Sequence, residues 1–257
     1  MGVAEDRGDN YYKMNQISQQ KETERWADKC FLLTSAQITH EYKSSVQYMH
    51  KINQSIIMNP GTKLDIDILA RFAFLYTLFK KDSVANGKNP RIDIDGVKSY
   101  QIEGWADGAR EQSIRSIDTK PIYLVMAAYH YYKELNYKKS IILCERAIKE
   151  QPSLLSSYLL CARSYSELNN EVKNESQKIK NATTGIKYLK IYEKSKKNRN
   201  GFVATYIHLH TDLKQFKDAI SYLNELINIK SSSGISNEQM KVYIDWKKDL
   251  ESKINKS

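Results

Sequence analysis

Between Tyr11 and Met58 the chain runs without a glycine or proline, and its apolar residues return every three or four positions. Ile38, Tyr42, Val46, Met49, Ile52 and Ile56 form one such stripe, and Trp26, Cys30 and Leu33 keep a similar period upstream. Gly and Pro are the strongest local breaks in regular structure, so this pattern predicts helix, either one long element or two broken near Thr34-Ser35. Asn59-Pro60-Gly61 ends the segment. A nearly wholly apolar helix is expected from Asp65 to Lys81, its acids at the amino end and Lys80-Lys81 at the carboxyl end, matching the helix dipole. The same economy holds throughout: 10 Gly and 4 Pro in 257 residues are too few for an all-β protein.

Residues 82–118 are the exception, holding Gly87, Pro90, Gly96, Gly104 and Gly108. Arg91-Ile92-Asp93-Ile94-Asp95 alternates, which is compatible with a short β-hairpin near 91–103 or with an irregular loop containing helical turns. This region is also the expected boundary between a helical part, 1–118, and a second domain, 119–257. Asp93-x-Asp95-Gly96 has the spelling of part of a calcium loop. Arg91 and Ile102 occupy the places of the first and last carboxylates, which rules out an EF-hand.

From Pro121 the pattern changes. Pro121 to Leu154 is a 34-residue unit: an apolar stretch from Ile122 to Tyr132, a break at Leu135-Asn136, a helical stretch from Tyr137 to Ile148, then Pro152. Leu124, Ala128, Tyr131, Ser140, Cys144, Ala147 and Pro152 supply large, small and aromatic residues and the closing proline in order. That series resembles the tetratricopeptide repeat (TPR) family, in which small residues let two antiparallel helices approach closely. A second unit starts at Leu155 with Tyr158, Ala162 and Tyr165. Its partner helix (Gly185-Ile186, Leu189, Tyr192) fits only after about eleven extra residues. Gln215 to Ile220 echoes Asn136 to Ile141 in a third unit. Ser140 and Ala219 lie 79 residues apart, two repeat lengths plus that insertion. The third unit departs from the family pattern, with Ile207 at the small position and His210 at the aromatic one.

The resemblance implies an all-α fold: a TPR-like helical hairpin solenoid with hairpins over about 121–152, 155–197 and 200–230 and a cap helix over 236–255, preceded by the amino-terminal helical region. It also implies a groove lined by the first helix of each unit, with Ile122, Val125, Tyr129, Tyr132, Lys133, Leu159, Arg163 and His208 as its residues. TPR domains that grip a terminal carboxylate carry Lys and Asn at inner positions where Val125 and Tyr129 stand here, so that ligand class is disfavoured. A peptide with apolar anchors suits the aromatic groove better, though the tyrosines could equally pack against the amino-terminal helices. The polar insertion at about 170–184 is expected either to project as a loop or to lengthen the helices beside it.

Charge is uneven. Residues 121–257 carry 23 basic against 14 acidic side chains, nearly all of the formal net charge of +10. Within 173–199, Lys173, Lys178, Lys180, Lys187, Lys190, Lys194, Lys196, Lys197 and Arg199 face only Glu175 and Glu193. This basic patch suits an acidic protein surface or another anionic partner, or is simply a solvated lysine face.

No phosphate-binding loop, dinucleotide fingerprint, nucleophile elbow or zinc-protease motif occurs, and Cys30, Cys144 and Cys161 form no C-x-x-C. The reading is therefore of a non-enzyme without cofactor or metal, a scaffold or adaptor that binds another protein through the groove or the amino-terminal helices. The alternative is a nucleic-acid-associated or regulatory protein using the basic patch. Nucleic acid is the disfavoured partner because no recognition helix or stacking motif is visible. A membrane surface is compatible with the charge, although no span is present. Cytoplasmic residence fits the free cysteines, with a periplasmic or membrane-associated location instead if a leader has been removed. Cys144 and Cys161 fall on successive helices and should be buried, neighbouring thiols.

Overall fold

The computed structural model describes residues 21–30, 32–58, 65–194 and 202–255. Arg7-Gly8-Asp9 and the Asn59-Pro60-Gly61 break lie outside those residues. The described residues are helical, connected by short turns, and the chain divides into two compact units between Glu134 and Leu135.

The first unit contains α1 (21–30), α2 (Ser35–Met58), α3 (Ile66–Ala85), α4 (Ser99–Arg115) and α5 (Pro121–Lys133). The expected break before Ser35 is present. There the Thr34 amide donates to Gln37 Oε1 at 2.9 Å, and the Gln37 amide donates back to Thr34 Oγ1 at 3.4 Å, a reciprocal cap. Asp65 caps α3 by accepting from the Asp67 amide. As its composition predicts, α3 is buried on nearly every side, with Leu69, Ala70 and every residue from Phe72 to Phe79 shielded from water. It packs on α2, α4 and α5. The Tyr42 ring of α2 stacks on Phe79 at 4.1 Å, and Trp26 of α1 meets Phe74 at 6.1 Å.

A polar node ties three of these helices together. Asp67 Oδ1 accepts from Thr23 Oγ1 of α1 at 2.7 Å and from the Tyr123 hydroxyl of α5 at 2.8 Å. Its other oxygen lies 2.7 Å from Arg71 Nε, and the Arg71 guanidinium sits 5.1 Å from the Trp26 ring centre. Burial, then the bond to Asp67, pushes the Tyr123 phenol well above its ordinary range, so it stays neutral.

Of the two readings of 91–103, the structure has no paired strands there but a loop closed by a single bridge. Ile94 and Val97 exchange backbone bonds of 3.0 and 2.9 Å around Asp95-Gly96, both at positive φ, and α4 begins two residues later. Helix prevails there because Ile102, Ala106, Ala109 and Ser113 fall on one face and are buried. That burial outweighs the cost of about 1 kcal/mol for each of Gly104 and Gly108. Asp93 holds the start of α4, accepting from the Ser99 amide and from Lys98 Nζ, and the Lys98 bond holds its carboxyl below the ordinary range.

The two compact units divide after Glu134, which assigns α5 to the first unit. Every residue from Ile122 to Ala128 is buried, and the helix packs on α3 and α4.

The second unit contains α6 (Tyr137–Glu150), α7 (Leu155–Asn169), α8 (Glu175–Glu193), α9 (Val203–Asp212), α10 (Phe216–Ser232) and α11 (Asn237–Ile254). Each helix packs on the next, and α7 also packs on α9, the arrangement of a helical hairpin stack. Small residues sit at the crossings: Ser140 Oγ bonds Ser164 Oγ at 2.8 Å between α6 and α7. A Cβ on Gly185 would stand 2.9 Å from Leu209 Cδ1 of α9 and 3.6 Å from the Ala162 carbonyl of α7. Cys144 and Cys161 are both buried and hydrogen-bonded to each other, and burial drives the Cys161 thiol far up. The two departures in the third unit are accommodated. His210 stacks on Tyr222 at 5.4 Å, serving as the aromatic, while Ile207 is buried in a cluster with Ala219, Leu223 and Leu250. The insertion lengthens α8 to 19 residues against 14 for α6, after a turn over 170–174. The expected cap helix is α11, started by a Ser236/Gln239 capping box.

One cation in the first unit is poorly compensated. Arg110 is 4% exposed, bonds Asp107 Oδ1 at 2.8 Å and lies 5.9 Å from the Tyr131 ring centre, but its Nε and Nη2 have no hydrogen-bond partner. It borders a cavity of about 10 Å³, with Phe74, Tyr123 and Met126 among the lining residues. Because Asp107 itself is well exposed, Arg110→Met strands no buried charge and should match or exceed wild-type stability, by about 0–2 kcal/mol in denaturant unfolding. Asp107→Ala should lose about 1–3 kcal/mol. In the second unit Gly185→Val should cost about 1–3 kcal/mol, because Leu209 has no free space to move into. A Gly185→Val protein as stable as wild type would show that the α8 crossing is looser than described.

Candidate functional site

The residues expected in the groove are distributed over both units. On α5, Ile122 and Val125 are 4% and 8% exposed. They are core residues and cannot line an open groove, because α3 and α4 cover the helix that carries them. Tyr129 is half-buried with its ring edge-on to Phe74 at 6.0 Å, so it packs on α3, the second of the two readings the sequence allowed. The exposed Lys133 ammonium lies 5.5 Å from the Tyr129 ring centre and 5.0 Å from that of Tyr132. These contacts hold the three side chains together at the end of α5.

The second unit has its own candidate face, made by α7 and α9 lying side by side. Leu159 and Arg163 stand one turn apart on α7 and are half-buried, and Leu159 also packs on the cluster of Ala162, Ile186, Leu189 and Leu209. His208 of α9 is exposed, with its ring 4.9 Å from Trp246 of α11. The two helices therefore offer an aliphatic edge, a guanidinium and a tilted His–Trp pair.

A buried polar chain, not foreseen from the sequence, runs beside this face. Asn169 Nδ2 donates to Asp212 Oδ2 at 2.8 Å and to the Lys178 carbonyl at 3.1 Å, while its Oδ1 accepts from Asn181 Nδ2 at 2.9 Å. Gln177 Nε2 completes the chain on Asn181 Oδ1 at 2.7 Å. These bonds tether the first two turns of α8, so the inserted residues are held rather than splayed outward. A signal existed in the sequence: Asn169 and Asn181 sit where a helical pattern would place apolar residues. Burial raises the Asp212 carboxyl above its ordinary range, partly offset by the Asn169 bond. A second carboxylate, Glu145, accepts from the Tyr165 hydroxyl at 2.7 Å and the Tyr188 hydroxyl at 3.2 Å. Burial and this shared acceptor keep both phenols neutral.

The expected basic patch divides as well. Lys173, Lys180, Lys187, Lys190 and Lys194 are exposed and Lys178 is half-buried. Lys196, Lys197 and Arg199 lie outside the described residues. Among the described residues no three His, Cys, Asp or Glu side chains form a metal-binding group, and no helix is long and apolar enough to cross a membrane. The chain matches no family model, no curated protein and no solved structure.

The raised Asp212 carboxyl has a definite consequence for pH. A carboxyl that binds its proton more tightly when folded than when unfolded adds most stability below the ordinary carboxylate range, and that contribution is lost as pH rises through its folded value. At pH 7 the wild-type protein bears the burial cost of the charge. Asp212→Asn, whose amide oxygen still accepts from Asn169, should melt higher than wild type at pH 7, with the gap narrowing toward pH 4. A variant that melts lower, by an amount independent of pH, would contradict this account.

Proposed function

We propose that the chain is a non-enzymatic protein-binding scaffold that takes a segment of a partner protein on the α7–α9 face. The observation that supports this reading is the packing of α7 on α9 in the second unit, with Leu159 and Arg163 half-buried on α7 and the exposed His208 of α9 beside Trp246. The resemblance of 121–257 to TPR units supports the same use, since such stacks bind peptides along their first helices. A half-buried aliphatic edge beside a planar cation and an aromatic pair suits an apolar anchor next to a carboxylate.

The test compares partner recovery from native lysate by the wild-type protein and by Arg163→Glu/His208→Ala, both checked for unchanged helicity and melting. At least one partner held by wild type should be lost from the variant by about tenfold, the size expected for one or two central contacts. Equal recovery of every partner would remove the α7–α9 face from the account.

A further inference from the structure

The solvent face of α8 differs from those of α6 and α11. On α6 the Arg146 Nε lies 2.7 Å from Glu150, and on α11 Lys253 and Lys247 pair with Asp249 and Glu251 one turn away. Between Glu175 and Glu193, α8 carries Lys178, Lys180, Lys187 and Lys190 and no acid at all. The two acids at its ends also bond other helices: Glu175, one turn from Lys178, pairs with Lys214 at 2.9 Å, and Glu193, one turn from Lys190, accepts from the Tyr206 hydroxyl at 3.0 Å. Lys180 also sits in the amino-terminal half, where the helix dipole disfavours a cation. Nothing in the fold calls for this arrangement.

Its spacing is more specific than its charge. Lys180, Lys187 and the cap residue Lys194 recur every seven residues, and Lys190 stands one turn from both Lys187 and Lys194. Thr184 and Ile191, both half-buried, form a second seven-residue column beside them. The row is about 21 Å long at 1.5 Å per residue. A seven-residue repeat of charge beside a column of less polar side chains is the pattern by which one helix addresses another lying along it.

We propose that this face of α8 docks an acidic helix of a partner protein, one whose Glu or Asp residues repeat at seven-residue intervals. The occupant is a helix rather than a nucleic acid because the row offers no arginine, amide or aromatic side chain to engage bases. The heptad positions Lys180, Lys187 and Lys194 also stand about 10 Å apart, with Lys190 between the last two, against a duplex that presents a phosphate charge every ~1.7 Å of its axis. A partner helix rises at the same rate as α8 and keeps register with it over the full row. The surface is separate from the α7–α9 face, and either can stand without the other.

The test uses the full chain and a fluorescein-labelled 21-residue Ala/Gln peptide with glutamates every seventh position and one turn beyond. The comparison ligands are a peptide of the same composition with the glutamates spread over all faces, a duplex DNA of matching charge, and phosphatidylcholine vesicles with added phosphatidylserine. The expected result is binding of the heptad peptide that weakens with salt and falls about tenfold in Lys180→Glu/Lys187→Glu/Lys190→Glu/Lys194→Glu. It should change by no more than about twofold in Lys138→Glu/Lys149→Glu/Lys217→Glu/Lys241→Glu, which alters net charge equally at exposed sites on other helices. Arg163→Glu should leave it unchanged, which separates this surface from the α7–α9 face. Equal binding of the two peptides, or equal losses in the two charge-reversed proteins, would overturn the proposal in favour of net charge alone. Tighter binding of the duplex or the vesicles, lost in the α8 variant, would overturn it in favour of that anionic surface.

Discussion

A helix with no polar face has nothing to offer water, and α5 is such a helix. Every residue from Ile122 to Ala128 is buried, two full turns without a break. At about 25 cal/mol for each Å² of apolar surface removed from water, exposing even one side of it would cost several kcal/mol. The rest of the first unit is arranged to prevent that. α3, itself buried nearly all round, lies on one side and α4 on another. The polar groups that this burial traps are answered at Asp67, where a hydroxyl from α1, a phenol from α5 and the Arg71 guanidinium converge. Buried polar groups stay in place only where each finds a partner. Arg110 shows the opposite case, a cation with two orphaned N–H groups beside a small cavity.

The second unit is held by a different constraint, close approach. Ser140, Gly185 and Ala219 are small residues, wholly or nearly wholly buried between neighbouring helices, and at Gly185 a Cβ would stand 2.9 Å from Leu209. Once those crossings are fixed, the large residues have set places: Leu189, Phe202 and Leu209 fill one cluster and Leu223, Leu226 and Leu250 another. The faces left over are then equally fixed. The side formed by α7 and α9 and the outer side of α8 are rigid because of what lies beneath them, and rigidity lowers the ordering cost of binding.

Charge follows from this geometry. On α6 and α11 Arg146, Lys247 and Lys253 each have an acid one turn away, the usual way in which a surface stays soluble without building a large field. On α8 acids stand only at the two ends, Glu175 and Glu193, and Lys187, Lys190 and Lys194 stand as like-charged neighbours at spacings that cost a helix about 0.2–0.5 kcal/mol per pair. The helix bears that cost because its inner face, with Ala182, Ile186 and Leu189, is firmly packed and the Asn169–Asn181 bonds anchor its start.

Local pattern carried much of this structure. The three-and-four spacing of Tyr42, Val46 and Met49, the break at Thr34-Ser35, the wholly apolar run around Phe72 to Phe79 and the small residues at Ser140, Gly185 and Ala219 are statements about neighbouring residues, and helices are local objects. The same holds for the burial and contact of Cys144 and Cys161, which follow from repeat phase. The α4 stripe of Ile102, Ala106, Ala109 and Ser113 was also present in the sequence but was masked by Gly104 and Gly108, whose cost tertiary burial overrides. What the sequence could not decide is where an apolar helix buries its surface: within the first unit α5 packs on α3 and α4, and Ile122 and Val125 are buried. The sequence by itself determined the helices, their apolar faces and the excess of lysine after residue 120. Only the tertiary structure decided which faces remain for a partner, because burial is a property of surfaces brought together from distant parts of the chain.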